Sequence, residues 1–512
     1  MSTITRRSFL STTALTLAAT RIPARALDAV PVVLSIPAEA TGPHMPADFV
    51  GLSYEVREFT NPNFFSAKNT SLIRAFKQIS SQGVLRIGGN TGEFGWWKPT
   101  AESLEPDHPK TREVVGEPKA NYYPVTPEAV RNLATFLEAT GWTCLYGINM
   151  GTNTPDRAAD EAALVAKTLG SRLQYFQIGN EVDLFGRHLR DPQTWSATTY
   201  LTEWLTLARA VAARVPRAAF GMPDIASNIS WLTQIGEAWG SVENPPRVTT
   251  LSHHYYFGGP PSNPDVNIPN LLKPASMAKV QSIADRATAA AAKMGARVRM
   301  TEGNTCYRGG KPGVSDVFAA ALWAADYSLL LAANNYSGIN LHGGTAPIIT
   351  IGLGGVMFGD EVLKAQGATP EQTATHPHPY YAPIASFGSD YLLEPVAYGL
   401  KFAGSFSGGS LIQTDFTSKL QATGVNASAY AAKLAGGQTS VIVLNKDAEN
   451  DLIIGLDFRA AKSGTVEIEK LHAPSVDSRE AHISRSTTPG NLKNGKLSVL
   501  VPRASGLRLT VI

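Results

Sequence analysis

Cysteine is scarce: 512 residues contain two, Cys144 and Cys306. A small fold held by a disulfide framework is therefore excluded. Charge is sparse as well, 17% of residues against 43% hydrophobic, which excludes a disordered chain and leaves material for a large core. No cluster of lysine and arginine points to nucleic acid or a membrane surface as partner. The apolar stretch 10–19 is shorter than the ~20 residues that cross a bilayer, and no later uncharged run reaches that length. His253, His254, His342, His376 and His378 follow no metal-ligand spacing, and adjacent histidines on a strand point to opposite faces. No metal and no cofactor is expected.

The formal charge of +3 has a local source. Residues 1–26 carry Arg6, Arg7, Arg21 and Arg25 and no acid, so taking these four positives from +3 leaves −1 for the rest. The pattern Thr5-Arg6-Arg7-Ser8-Phe9-Leu10, an apolar stretch and then Ala24-Arg25-Ala26 is that of an export signal of the twin-arginine type. The expectation is a protein exported to the periplasm or secreted, with residues 1–26 as its signal.

From residue 48 a rhythm sets in. Short apolar runs at 49–54, 84–87, 143–148, 174–178, 218–222, 248–253, 297–300 and 338–341 alternate with stretches of helical period. Thr126-Pro127 opens one helix with an N-cap and proline at the first position. Val130, Leu133, Ala134 and Leu137 then recur on one face, and Gly141 stops it. A last helix is expected at 380–393. Eight βα units predict a (β/α)8 barrel over 48–394. The competing open sheet lacks its glycine-rich dinucleotide turn. On a barrel, Cys144 falls on strand three and Cys306 just after strand seven, too far apart to pair.

After 395 the rhythm changes to short β-runs at 411–416, 427–434, 439–444, 451–458, 465–471, 496–501 and 507–512. These predict an antiparallel sandwich over 395–512. A strand at 30–36, within the segment 27–47, is expected to join it.

Two apolar runs end in glutamate: Gln177-Ile178-Gly179-Asn180-Glu181 at strand four and Arg299-Met300-Thr301-Glu302 at strand seven. Carboxylates at strand C-termini face the mouth of a barrel. Two such groups across one gap suit cleavage of a glycosidic bond, one protonating the leaving oxygen and the other attacking the anomeric carbon or activating water. Asn180 is placed to bond a sugar hydroxyl. Read singly, Asn180-Glu181 is also a helix cap with its first-turn acid, and Glu302 a partner for Arg86 or Arg299.

These residues resemble a family. Asn-Glu on strand four with Glu on strand seven is similar to the retaining (β/α)8 glycosidases, and within them to glycoside hydrolase family 79, the β-glucuronidase and heparanase group, nearest its bacterial β-glucuronidases. The carriers are Gly51-Leu52-Ser53-Tyr54-Glu55, Leu85-Arg86-Ile87-Gly88-Gly89-Asn90, Ser252-His253-His254-Tyr255-Tyr256, Thr301-Glu302-Gly303-Asn304-Thr305-Cys306-Tyr307 and Gly338-Ile339-Asn340-Leu341-His342-Gly343-Gly344. The resemblance implies an exo-β-glucuronidase with Glu181 as acid/base and Glu302 as nucleophile. Glu55 is among the implied substrate-binding residues. Implied donors to the uronate carboxylate are Tyr255 or Tyr256, and Tyr307; Arg308 and Lys311 could serve instead. It also implies a Gly-Tyr after the strand-eight His-Gly-Gly. Here Thr345-Ala346-Pro347 follow, and Thr345 could donate one bond, or the pocket could take another sugar. The expected partner is a glucuronide or a glycan containing glucuronic acid. An endo-acting heparanase-like enzyme, a metal-dependent hydrolase and a non-catalytic sugar-binding protein are the competing readings.

Overall fold

The computed structural model describes residues 32–512 apart from 377 and 389. The segment 1–26, read as an export signal, lies outside the described residues. Eight parallel strands close into a barrel: Val50–Glu55, Val84–Gly88, Thr143–Ile148, Leu173–Ile178, Phe220–Ile225, Val248–Gly258, Arg297–Cys306 and Gly338–His342, here strands one to eight. All eight lie where the apolar runs predict them. Strands six and seven run further than predicted, because their pairing continues from Glu302 opposite His254 to Cys306 opposite Gly258. This shared extension raises one wall of the mouth. It also makes Cys306 the last residue of strand seven rather than a loop residue. Cys144 and Cys306 are both buried and free.

The helices form where caps and apolar stripes coincide. Pro127–Thr140 starts where Thr126 Oγ1 accepts from the amide of Ala129 at 3.3 Å, and Gly141 ends it at φ 82°. Such a cap contributes about 1 kcal/mol. Phe318–Ala333 is buried on nearly every side, so its apolar residues need no stripe. The sandwich covers its outer face. The carbonyls of Ser478 and Val476 accept from the amides of Phe318 and Ala319, which satisfies its free N-terminus.

The helix expected at 380–393 is not formed. Those residues make a hairpin, Ile384–Phe387 with Asp390–Leu393, and the eighth barrel helix is Pro395–Gly404. Pro383 and Gly388 interrupt the supposed helical run, whereas Pro395 suits a first helical turn. Between strand eight and this hairpin, three short helices, Ala346–Gly352, Phe358–Ala365 and Pro370–Ala374, extend one side of the mouth.

The second layer is two sheets packed on a core that includes Leu34, Ile36, Val441, Val443, Ile454, Leu456 and Leu509. In one sheet Val32–Ile36 pairs in parallel with Leu452–Phe458, which pairs antiparallel with Lys496–Val501. The other runs Ser410–Ile412, Ala427–Lys433, Thr439–Asn445, Ser505–Val511, Thr465–His472, His482–Arg485. The run predicted at 411–416 stops at Ile412, and Phe416–Gln421 is a helix. His482–Arg485 was not predicted. It is a polar edge strand whose side chains are mostly exposed, so it has no apolar alternation to read.

Candidate active site

Glu302 sits at an irregularity in strand seven, where the register shifts between Met300 and Glu302 on the strand-six side. Such a bulge breaks the alternation and re-aims side chains. Thr301 and Glu302 consequently both face the barrel interior: the Thr301 hydroxyl donates to Asp224, and Glu302 reaches the cavity. Glu302 is gripped from two sides. Arg86 Nη1 donates to Oε2 at 2.6 Å and the Tyr256 hydroxyl to Oε1 at 2.9 Å. Arg299, the other partner the sequence allowed, instead bonds Asn340 at 2.7 Å below the site.

Glu181 occupies a turn. Gly179 has φ 89° and Glu181 φ 48°, a left-handed conformation that costs a non-glycine residue of order 1–3 kcal/mol. The surrounding bonds hold it there. The Asn180 amide donates to Glu93 Oε1 at 2.7 Å, and the Glu181 amide to the Asp224 carbonyl at 2.8 Å. Glu93 also accepts from the amides of Met150 and Gly151, so one buried carboxylate fixes the ends of strands three and four.

Between the two glutamates stands His254. Its Nδ1 lies 3.1 Å from Glu181 Oε1, and its Nε2 lies 3.3 Å from Asp224 Oδ2. Arg86, fully buried, also donates to Asp224 Oδ2 at 2.5 Å and Asn180 Oδ1 at 2.6 Å. The nearest facing atoms of Glu181, His254 and Glu302 all lie within 4.8 Å of one another. That spacing would suit a metal ion, but each His254 ring nitrogen already faces a carboxylate.

This charge pattern drives the two carboxylates apart. Burial alone would raise Glu302, but the charges of His342, His254 and Arg86 and the Tyr256 bond outweigh it and hold Glu302 down to about 2. Burial also raises Glu181, against the bond and charge of His254; the charge of Glu302 raises it further, and it stays above the usual carboxylate value. Burial is thus the larger cause for Glu181 and the charge of Glu302 the smaller. For His254, burial disfavours the charge, yet Glu302 and Asp224 push it up to about 10. Burial works against the charged form of Asp224 too, but Arg86 and then His254 hold it well below the usual carboxylate range.

The cavity above these groups encloses about 620 Å³. Of the residues singled out in the sequence, Glu181, Glu302, Glu55, Tyr256, Tyr307, Arg308 and His342 line it. Glu55 accepts from the amide and hydroxyl of Thr91 at 2.9 and 2.6 Å. Asn180 lies beside Glu181 in a small recess, its amide nitrogen donating to Asn90 Oδ1 at 3.1 Å. Two of the expected residues are elsewhere. Tyr255 points outward and packs on Tyr327 with centroids 5.2 Å apart, because neighbours on a strand face opposite ways. Thr345 is turned to Glu58, donating its amide at 2.7 Å and its hydroxyl at 3.2 Å. His253 likewise points away, to the Tyr336 hydroxyl at 2.9 Å, and His376 and His378 lie on the segment after Pro370–Ala374, so the histidines do not form a cluster.

The sequence reading missed Asp224, Glu93 and Glu117. Asp224 follows a proline at the end of strand five, with no chemical pattern around it. Glu117 lies on the long loop after strand two and lines the cavity 3.6 Å from Arg187. Burial, and then the charge of Glu181, push Glu117 up to about 7.

No family model matches the chain. Curated relatives do. A β-glucuronidase of Aspergillus niger is 24% identical over 350 residues, 63% of this chain and 62% of that protein. A β-glucuronidase of Neurospora crassa is 25% identical over 417 residues, 70% of each. The chain thus matches less than two thirds of the Aspergillus protein's length. Among solved structures, a 4-O-α-L-rhamnosyl-β-D-glucuronidase of Fusarium oxysporum superposes with a TM-score of 0.68 at 16% identity, covering 93% of this chain and 100% of that one. A family 51 arabinofuranosidase of Xanthomonas axonopodis gives 0.64 at 14% identity, covering 92% and 97%. The fold is therefore the barrel-plus-sandwich of these glycosidases, and the resemblance to β-glucuronidases carried by the motifs is met in sequence by the two fungal proteins.

Proposed function

We propose that this protein hydrolyses terminal β-linked glucuronides with retention, Glu302 attacking the anomeric carbon and Glu181 first protonating the leaving oxygen and then activating water. One observation carries the reading: two carboxylates with facing atoms within 4.8 Å, one held down to about 2 and the other held above its usual value. A retaining pair stands ~5–5.5 Å apart, whereas an inverting pair leaves ~6.5–9.5 Å for water. The pKa split supplies an ionised nucleophile and a protonated acid at the same pH. Tyr256 and Arg86 orient Glu302, whose negative charge is neutralised as its oxygen bonds the anomeric carbon and the leaving group departs with the proton of Glu181.

The sugar is inferred from the relatives, both named β-glucuronidases. Exo action and export by the N-terminal arginine pattern belong to the same proposal. The deciding experiment is a panel of aryl β-glycosides: glucuronide, glucoside, galactoside and xyloside. The expected result is preference for the glucuronide, with proton NMR showing the β-anomer released first. Preference for a neutral sugar would overturn the substrate and leave the retaining mechanism to the NMR result.

A further inference from the structure

The cavity contains one partly buried cation that forms no direct salt bridge among the described residues, Arg308, with only the more distant charge of Glu117 acting on it. We propose that the guanidinium of Arg308 receives the carboxylate of the substrate sugar. The inference rests on the glucuronide reading above and names the residue that would enforce it.

Arg308 follows Tyr307 at the end of strand seven, just past Glu302 on the same stretch of chain, and lines the cavity. Other arginines near the mouth are paired: Arg86 with Glu302 and Asp224, Arg187 with Glu117, and Arg190 with Glu203 at 2.9 Å. Among the described residues no carboxylate lies within 4.0 Å of Arg308. A charge drawn partly out of water gains from a partner, and Arg308 is half-buried in the wall of the cavity.

The guanidinium is also held in place. It lies 4.6 Å over the ring of Phe358, and Nη2 donates to the Val115 carbonyl at 3.2 Å. Gly116 keeps the slot open: a Cβ there would stand 2.4 Å from Nη2. The backbone aims the side chain through an unusual turn. Arg308 has φ 62°, and Gly309 and Gly310 both have φ 87°. The Tyr380 amide bonds the Gly309 carbonyl at 2.8 Å and fastens the turn. A left-handed arginine is costly, and such strain collects at ligand sites.

Two of the alternatives are engaged elsewhere, and Tyr307 lines the cavity beside Arg308 as a neutral donor. Lys311 Nζ donates to the Asn263 carbonyl at 3.0 Å, and Thr345 is held by Glu58. Lys279 reaches the rim but is exposed to water. The cavity wall otherwise presents four carboxyl groups, those of Glu55, Glu117, Glu181 and Glu302. An anionic sugar entering among them needs a compensating cation, and a guanidinium offers paired donors that match a carboxylate.

The test compares kcat/KM for 4-nitrophenyl β-glucuronide and β-glucoside in wild type, Arg308→Ala and Arg308→Lys, with melting curves to confirm folding. The expected result is a fall in the glucuronide-to-glucoside ratio on the order of 100-fold in Arg308→Ala, mostly through KM, and partial recovery in Arg308→Lys. A wild-type glucuronide preference that survives both substitutions overturns the role of Arg308 alone. A wild type that prefers the glucoside overturns this inference together with the substrate reading, and leaves the hydrolase chemistry standing.

Discussion

Two cavities in this molecule are lined by buried ion pairs, and they differ in what the pair leaves open. The larger, about 850 Å³, lies between the barrel helices and the sandwich and reaches Asp326 and Lys446. There the charges are closed on themselves. Lys446 bonds Asp326 Oδ2, and Ser428 and Tyr430 donate to Oδ1 at 2.7 and 2.8 Å. At the barrel mouth the cavity is smaller, but Glu181 turns about a sixth of its side chain to it and Glu302 a lesser part. The first pair joins two layers of the fold. The second keeps charged atoms available to a ligand. Cavity size favours the layer contact; carboxylate atoms left open to a ligand favour the mouth.

Breaking the mouth should cost chemistry and spare the fold. Glu302→Ala is expected to lower kcat by about 10⁴-fold or more in single-turnover assays, because no other group can form the glycosyl bond. Its melting temperature should stay near wild type, since Arg86 keeps Asp224. Glu181→Gln should lower turnover by about 10²–10⁴-fold on an alkyl glucuronide and much less on a nitrophenyl one, whose leaving group needs no proton. Equal losses on both substrates would remove Glu181 from the acid role.

Breaking the interface should do the reverse. Asp326→Ala leaves Lys446 buried and unpaired, at a cost of about 3–5 kcal/mol in urea unfolding. The folded fraction should keep its kcat. Replacing both, Asp326→Leu with Lys446→Met, should recover most of that loss, because well-packed apolar residues escape the desolvation penalty. A double variant as unstable as the single one would show that the pair itself stabilises the layer contact.

The finest comparison concerns His254, which reaches both Glu181 and Asp224, the buried partner of Arg86. Activity in the proposed mechanism requires Glu302 ionised and Glu181 protonated. The lower edge of the pH profile follows Glu302, near 2, and the upper edge follows Glu181, above the usual carboxylate value. The charge of His254 lowers both groups, so His254→Gln should move both edges to higher pH. Profiles of kcat/KM on the alkyl glucuronide, whose leaving group needs the proton of Glu181, would show it; an unmoved or falling upper edge would contradict the proton assignment.

The barrel was legible because buried parallel strands write themselves as apolar runs separated by amphipathic helices. Glu181 and Glu302 were legible for the same reason, since each stands at the end of such a run. Legibility failed where neighbours in space decide. The segment 380–393 has enough apolar residues for a helix, yet it pairs as a hairpin on the barrel edge, where Tyr391 packs against Phe64. Tyr255 and Tyr256 are adjacent and chemically alike, and only strand register tells which one faces the cavity. Thr345 looked like a pocket donor because its partner, Glu58, lies 287 residues away in sequence.

By itself the sequence determined the eight-stranded barrel, the change to β-rich structure beyond it and the two glutamates at strand ends four and seven, because period and position along the chain are local properties. The tertiary structure alone decided their electrostatics. Asp224, His254 and Arg86 come from three different strands, and a carboxylate's charge state depends on what surrounds it within a few ångströms, not on its neighbours in the chain.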